Sequence, residues 1–271
     1  MTAFKAFIDG LTGEDVLSFY NGISDKYDDL CQKLFYIAHE ETAAVVSKHL
    51  DDKNSSILDV GAGTGLCGEA LRNHGYVNVH GLDVSPNMLN VARSRNTYKS
   101  YIVERLYQDC YCSIPANSFD CLTVAGSVGP NQLNPDMFKD FIRITKPGGL
   151  VVITTRLLYF DVDYCLQQKW PYNLEKALAE AEYLSKWNVI HLTRCKYMNN
   201  VDGFGARVSV KSAPFYRQKS SIWFTQLESQ FVLPQITFDA TKYSHVLTAL
   251  PEDIGLNLPT DIGNSYYEAK T

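Results

Sequence analysis

Residues 57–85 read ILDVGAGTGLCGEALRNHGYVNVHGLDVS, and this stretch restricts the folds open to the chain more than any other. A compact apolar run, Ile57 to Val60, ends in three alternating glycines, Gly61, Gly63 and Gly65. A short apolar run bounded this way predicts a buried strand, and glycines at its end remove side chains so that backbone can approach a ligand closely. LCGEALRNHG then predicts a short helix stopped by Gly75. A second strand, VNVHGLDVS, follows, with Asp83 at its end. Strand, glycine loop, helix and strand form the unit of a parallel sheet, where ligands bind beyond the carboxyl ends of the strands.

The alternation continues downstream. SPNMLNVARSR predicts a helix with Ser85 as N-cap and Pro86 in its first turn. Further strands are expected in YIVERLYQDC, SFDCLTVAGSV and, from Leu150 to Thr155, KPGGLVVITTR, with a helix over NPDMFKDFIRIT. The fold class is therefore α/β, a parallel sheet covered by helices on both faces. Upstream, Leu30, Leu34, Ile37, Ala38, Val45 and Leu50 recur near helical spacing and predict one or two amphipathic helices over residues 1–50. The main domain is placed at 51–230. NLEKALAEAEYLSKW predicts a helix, while WNVIHLTRCKYM and SSIWFTQLES alternate as a closing antiparallel pair would. A loop-rich insertion is expected near 198–220, and an irregular C-terminal extension over 231–271.

Composition narrows the function. Thirty acids against 25 bases, a net charge of −5, lack the basic excess of a general nucleic-acid binder. No run approaches the ~18 uncharged apolar residues of a membrane span, and the first residues carry no long apolar signal region. Seven scattered cysteines suit a reducing compartment, so the cytoplasm is the expected location. Cys110 and Cys112 are the one close pair, the histidines show no metal-ligand spacing, and no metal site is expected.

Two features bear on the ligand of the glycine loop. The pattern is D-x-G-x-G-x-G, from Asp59 through Gly65, with no lysine after the glycines, so a P-loop is excluded. A carboxylate in the first strand suits a ligand bearing an ammonium or sulfonium better than one bearing a pyrophosphate. Asp83 is placed to accept hydrogen bonds from ribose hydroxyls, a role that dinucleotide and S-adenosylmethionine sites share.

ILDVGAGTG, VHGLDVSPNMLNVAR, SFDCLTVAGSV and RITKPGGLVVITTR together resemble, in order, a class I S-adenosylmethionine-dependent methyltransferase. FYNGISDKYDDL and the TTR ending of the fifth strand resemble, within that class, the methyltransferase-like family of the Williams–Beuren syndrome chromosome region. The resemblance implies a Rossmann-like sheet with a closing antiparallel strand, N-terminal lid helices and a C-terminal extension. It also implies S-adenosyl-L-methionine as cofactor and S-adenosyl-L-homocysteine as product. Asp59 and the loop Gly61, Ala62, Gly63 and Gly65 would hold the amino-acid end. Asp83 would bind the ribose, with Val84 and Met88 beside the adenine and Asp109 and Cys110 at its edge. YQDCYC departs there from the Gly-Asp-Ala of many relatives. Ala125 and Gly126 would border the methionine part, and Tyr20 and Tyr27 would close over the cofactor.

Each residue also has a plainer role. Asp59 can organise the loop alone, Tyr20 and Tyr27 can be core aromatics of a lid, and Asp28 and Asp29 read as solvated helix residues. Trp170, Tyr172, Trp187, Phe204, Phe215, Tyr216 and Trp223 read singly as core and together as a wall over a substrate. His191, Asp161 and Asp163 are candidates for a base, and none is assigned. The expected activity is methyl transfer to a small-molecule O, N or S acceptor, with neither nucleic acid nor membrane as partner. A protein or peptide acceptor is the second enzyme reading, and an inactive cofactor-binding partner protein is the reading of another class.

Overall fold

A computed structural model describes residues 13–106, 112–183, 187–197 and 204–212, all within the compact unit Phe4–Lys219. Three helices open it: α1 (Gly13–Ile23), α2 (Tyr27–Lys33) and α3 (Ala38–His49). Then β1 (Ile57–Val60), α4 (Leu66–Asn73), β2 (Val79–Asp83), α5 (Pro86–Ser94) and β3 (Ser100–Val103) alternate. The second half comprises β4 (Phe119–Ala125), α6 (Phe138–Ile144), β5 (Thr145–Arg156), α7 (Val162–Gln167), α8 (Leu174–Tyr183), β6 (Trp187–Lys196) and β7 (Phe204–Ser212). The Ser85 hydroxyl caps α5, accepting from the Met88 amide at 3.1 Å.

The seven strands form one sheet in the order β3-β2-β1-β4-β5-β7-β6. The pairings among β1 to β5 are parallel, whereas β7 runs antiparallel to both β5 and β6. β7 lies inside the stretch expected to be a loop-rich insertion. FGARVSVKS alternates small or apolar with polar residues, the pattern of a strand, but Gly205 and the polar chain before it mask the signal. The expected partner, SSIWFTQLES, lies outside the described residues, as does the extension 231–271.

Side-chain alternation divides the core in two. Leu58, Val60, Leu122, Val124, Val151 and Ile153 face one side, packed with Phe138, Phe141 and Trp187. Ile57, Cys121, Leu150 and Val152 face the other, under Val46 of α3, Leu71 of α4 and Leu89 of α5. Trp170 and Trp187 are buried in the first cluster, with Tyr172 packed against it. These aromatics are core, and the expected wall over a substrate is not formed by them. No helix among the described residues is long and apolar enough to cross a membrane.

Candidate functional site

A cavity of about 300 Å³ lies beyond the carboxyl ends of β1, β2 and β4. Gly61 and Gly63 line it from the first loop. The Gly61 and Ala62 amides donate to the Leu82 carbonyl (2.9 and 3.0 Å), fastening the loop to the end of β2. Gly63 has φ +53°, a conformation that side chains rarely adopt, and a Cβ there would meet no atom within 4 Å. The space left by that missing side chain is open to an occupant. Ala62 and Gly65 are behind the lining: Ala62 is buried, and Gly65 packs against Ala92 and Thr97.

Asp83 reaches the cavity from the end of β2. Oδ2 accepts from the Gly63 amide and Oδ1 from the Ser85 amide, both at 2.8 Å. Burial raises its carboxyl above the ordinary range, and the amides of Ser85, Gly63 and Val84 oppose that rise. Three amide donors leave one of the carboxylate's four lone-pair sites, so the group can still accept from a ligand hydroxyl. Val84 and Met88 continue the lining on this side.

Asp59 departs from its expected place. Its carboxylate is 1% exposed and does not line the cavity. It accepts from the Tyr98 hydroxyl (2.6 Å) and the Thr123 hydroxyl (2.8 Å). Alternation along β1 puts Asp59 on the face of Ile57, beneath the helices, rather than past the strand end. Its role is to join β1, β4 and the chain before β3.

The N-terminal helices close the other side. Tyr20 and Tyr27 line the cavity, their rings edge to face at 6.1 Å. The Tyr20 hydroxyl accepts from Gln132 Nε2 at 2.9 Å, across the cavity mouth. Asn21 bridges to α5, its Oδ1 accepting from the Ser85 hydroxyl (2.6 Å) and its carbonyl from Asn87 Nδ2 (3.1 Å). Asp28 is no solvated acid: it accepts from the Thr64 hydroxyl and pairs with Arg95.

Ala125 and Gly126 line the end beyond β4, where the following loop folds back through a Leu133 amide to Ser127 carbonyl bond of 3.1 Å. That loop brings Asn131 and Gln132 to the lining, and the end of β3 brings Glu104 and Arg105. Sequence reasoning passed over these four and Asp28. The signal for Glu104 and Arg105 was position, immediately past the end of β3; Asn131 and Gln132 lie six and seven residues past β4 with no such signal, and Asp28 had none, because its partner Arg95 is 67 residues away. Asp109 and Cys110 lie outside the described residues. The backbone of His191 is in β6; Asp161 caps α7, accepting from the Tyr164 amide at 2.8 Å; Asp163 is exposed in that helix.

Strand order, glycine loop, strand-end acid and aromatic lid together define a class I methyltransferase fold with a nucleoside-sized cavity. Residues 57–149 match the family model described as a methyltransferase domain, so this stretch of the chain carries a methyltransferase domain. A second model, a domain of unknown function (DUF7041), matches residues 212–265. Methyltransferase-like protein 27 of Homo sapiens is 33% identical over 150 residues, 55% of this chain and 60% of that protein. Phosphoethanolamine N-methyltransferase 1 of Arabidopsis thaliana is 33% identical over 133 residues, 49% of this chain and 26% of that protein. The chain thus spans between a quarter and three fifths of the length of these two relatives. Among solved structures, the [4+2]-cyclase SpnF superposes with a TM-score of 0.56 at 15% identity, covering 76% of this chain and 98% of that one, a likeness of fold.

Proposed function

We propose that the protein transfers a methyl group from S-adenosylmethionine to a small-molecule acceptor. The observation that carries this is the coincidence, in one cavity, of the open Gly63, the strand-end carboxylate of Asp83 and the tyrosines of the N-terminal helices. Gly61 and Gly63 would give room to the amino-acid end of the cofactor, Asp83 would accept from the ribose, and Val84 and Met88 would flank the adenine. Bound there, S-adenosylmethionine supplies a methyl group activated by its sulfonium, which leaves with S-adenosylhomocysteine as product. The chain's part is to hold two reactants in line and exclude water, which in favourable cases supplies about 7–11 kcal/mol of barrier reduction.

The small acceptor is favoured by the roof. Tyr20, Asn21 and Asp28 are each bonded to the far side of the cavity or its loop, so the N-terminal helices narrow the opening left to an acceptor. The name of the Arabidopsis relative points the same way, to phosphoethanolamine as an acceptor in that protein.

The test is calorimetric titration with S-adenosylmethionine and S-adenosylhomocysteine, followed by labelled-methyl transfer into metabolite and polypeptide extracts. Saturable binding with a labelled metabolite is expected. No binding of either nucleoside would overturn the cofactor reading, and label confined to polypeptide would overturn the small acceptor.

A further inference from the structure

The two walls of the cavity mouth are built differently. One is the loop 127–133 after β4, which brings Asn131 and Gln132 to the lining. The Ser127 hydroxyl donates to the Val60 carbonyl at 3.1 Å and Thr155 Oγ1 to the Val128 carbonyl at 3.0 Å, tying the loop to β1 and β5. Within it, the Gln132 amide donates to the Gly129 carbonyl (3.1 Å) and the Gly129 amide to the Leu133 carbonyl (3.0 Å). Val128, Gly129 and Pro130 are buried, and a Cβ on Gly129 would lie 2.8 Å from the Tyr159 ring. Gln132 is therefore presented from a firm base.

The other wall is α1. Successive residues of a helix point about 100° apart, so Tyr20 and Asn21 reach different walls. Asn21 is fastened twice at the start of α5, to the Ser85 hydroxyl and to Asn87 Nδ2. Tyr20 reaches across to Gln132 Nε2 through a neutral, part-buried bond of 2.9 Å. On α2, by contrast, Asp28 is held by the Thr64 hydroxyl and by the charge of Arg95. A bond between neutral groups contributes less than one to a charged group, and at a part-buried site water can replace both partners when it breaks. Of these attachments, the one between Tyr20 and Gln132 opens at least cost. Val16 and Leu17, a turn earlier on the same face of α1, also line the cavity, so moving Tyr20 away uncovers it.

We propose that the Tyr20–Gln132 hydrogen bond is the gate of the cavity. α1 swings about its Asn21 attachment, Tyr20 parts from Gln132, and reactants pass between them, while α2 stays fixed by Asp28. The gate rests on the methyltransferase reading for what passes it, though not for its own existence. Such a pair controls the rate of exchange rather than the affinity, because it opens and closes in the free and the occupied protein alike. Breaking it accelerates entry and exit by the same factor.

The test is a double-mutant cycle on exchange rates, with Tyr20→Phe, Gln132→Ala and the two combined, each verified as folded by circular dichroism. Tritiated S-adenosylhomocysteine is bound, then chased with unlabelled compound, and calorimetry gives the affinity from which the association rate follows. Each single variant should release and take up the nucleoside about fivefold faster, with affinity within about twofold of wild type. The combined variant should be no faster than either alone. Gln132→Glu, whose carboxylate can accept from the Tyr20 hydroxyl, should return the rates toward wild type. Unchanged rates in the single variants, or accelerations that multiply in the combined one, would overturn the gate. Weakened affinity with an unchanged association rate would also overturn it, by making the pair a ligand contact. If the wild type binds no S-adenosylhomocysteine, the methyltransferase reading has failed and the free protein decides the gate. Amide exchange over residues 13–23 should then quicken about fivefold in both single variants, and exchange as slow as in wild type would overturn it.

Discussion

The carboxylate of Asp28 on α2 accepts a hydrogen bond from the hydroxyl of Thr64 in the glycine loop. Thr64 is almost fully buried, and the same carboxylate pairs with Arg95 at the end of α5. One acid thus joins the lid, the loop and the helix after β2. Hydrogen bonds to charged groups contribute about 1.5–3 kcal/mol each when well buried, and the part-exposed setting of Asp28 places it at the lower end. Asp28→Ala should weaken S-adenosylhomocysteine binding about five- to thirtyfold, the equivalent of roughly 1–2 kcal/mol. Amide exchange over residues 13–33 should quicken in the same variant. Unchanged affinity and protection would show that the lid is held without Asp28.

Asp59 lends itself to a different prediction, because it supports the fold rather than the ligand. Tyr98→Phe keeps the ring that packs on Gly68 and Gly81 but removes one of the two hydroxyls facing the buried carboxylate. An ionised oxygen deprived of its donor in the interior costs about 1–3 kcal/mol. Urea unfolding should register that loss, while calorimetry finds S-adenosylhomocysteine affinity within about twofold of wild type. A large affinity change at constant stability would return Asp59 to the binding site.

The contrast between Asp28 and Asp59 shows what the sequence could carry. β1, β2, β4 and the core of β5 were legible because each is an apolar run stopped by glycine, proline or polar residues, and the site residues at their ends came with them. Asp59 was read as a ligand from its place in the pattern, yet the two-residue period of β1 already put it on the face of Ile57. Asp28 depends on Arg95, whose nearness follows from how α5 returns along the sheet, and no local pattern records that. β7 was hidden for a third reason: its alternation is weak, and it pairs with β5 only after β6 and a return connection have been placed.

Asp83 should be sensitive in binding and less so in stability. Its two oxygens already order the Gly63 and Ser85 amides, so its loss removes both a ligand acceptor and the anchor of the loop. Asp83→Ala is expected to weaken S-adenosylmethionine binding by about 1–3 kcal/mol. Asp83→Asn should not restore it, since the amide nitrogen would set a donor against one of those two backbone donors. Calorimetry on both variants, with circular dichroism to verify folding, makes the comparison. Wild-type affinity in either folded variant would remove the ribose assignment.

His39 supplies the pH dependence. It is stacked on Tyr36 with ring centres 5.6 Å apart, its Nδ1 is buried without a hydrogen-bond partner, and burial pulls its pKa down to about 4 against a nearby Glu69 that opposes the shift. The unfolded chain titrates this histidine near 6.5, so between that value and about 4 the unfolded state binds more protons than the folded one. Stability therefore rises with pH through this window: the contribution is complete above 6.5 and is lost as pH falls toward 4. From a shift of this size, roughly 2 kcal/mol should disappear between pH 7 and pH 5. Buried Asp59 and Asp83 are raised and act in the opposite sense, so the quantity to measure is the difference between wild type and His39→Gln. Urea unfolding of both proteins at the two pH values should show the wild type losing about 2 kcal/mol more than the variant. Parallel losses in the two proteins would mean that His39 takes up its proton as readily folded as unfolded, and that the packing of Tyr36 over it admits water.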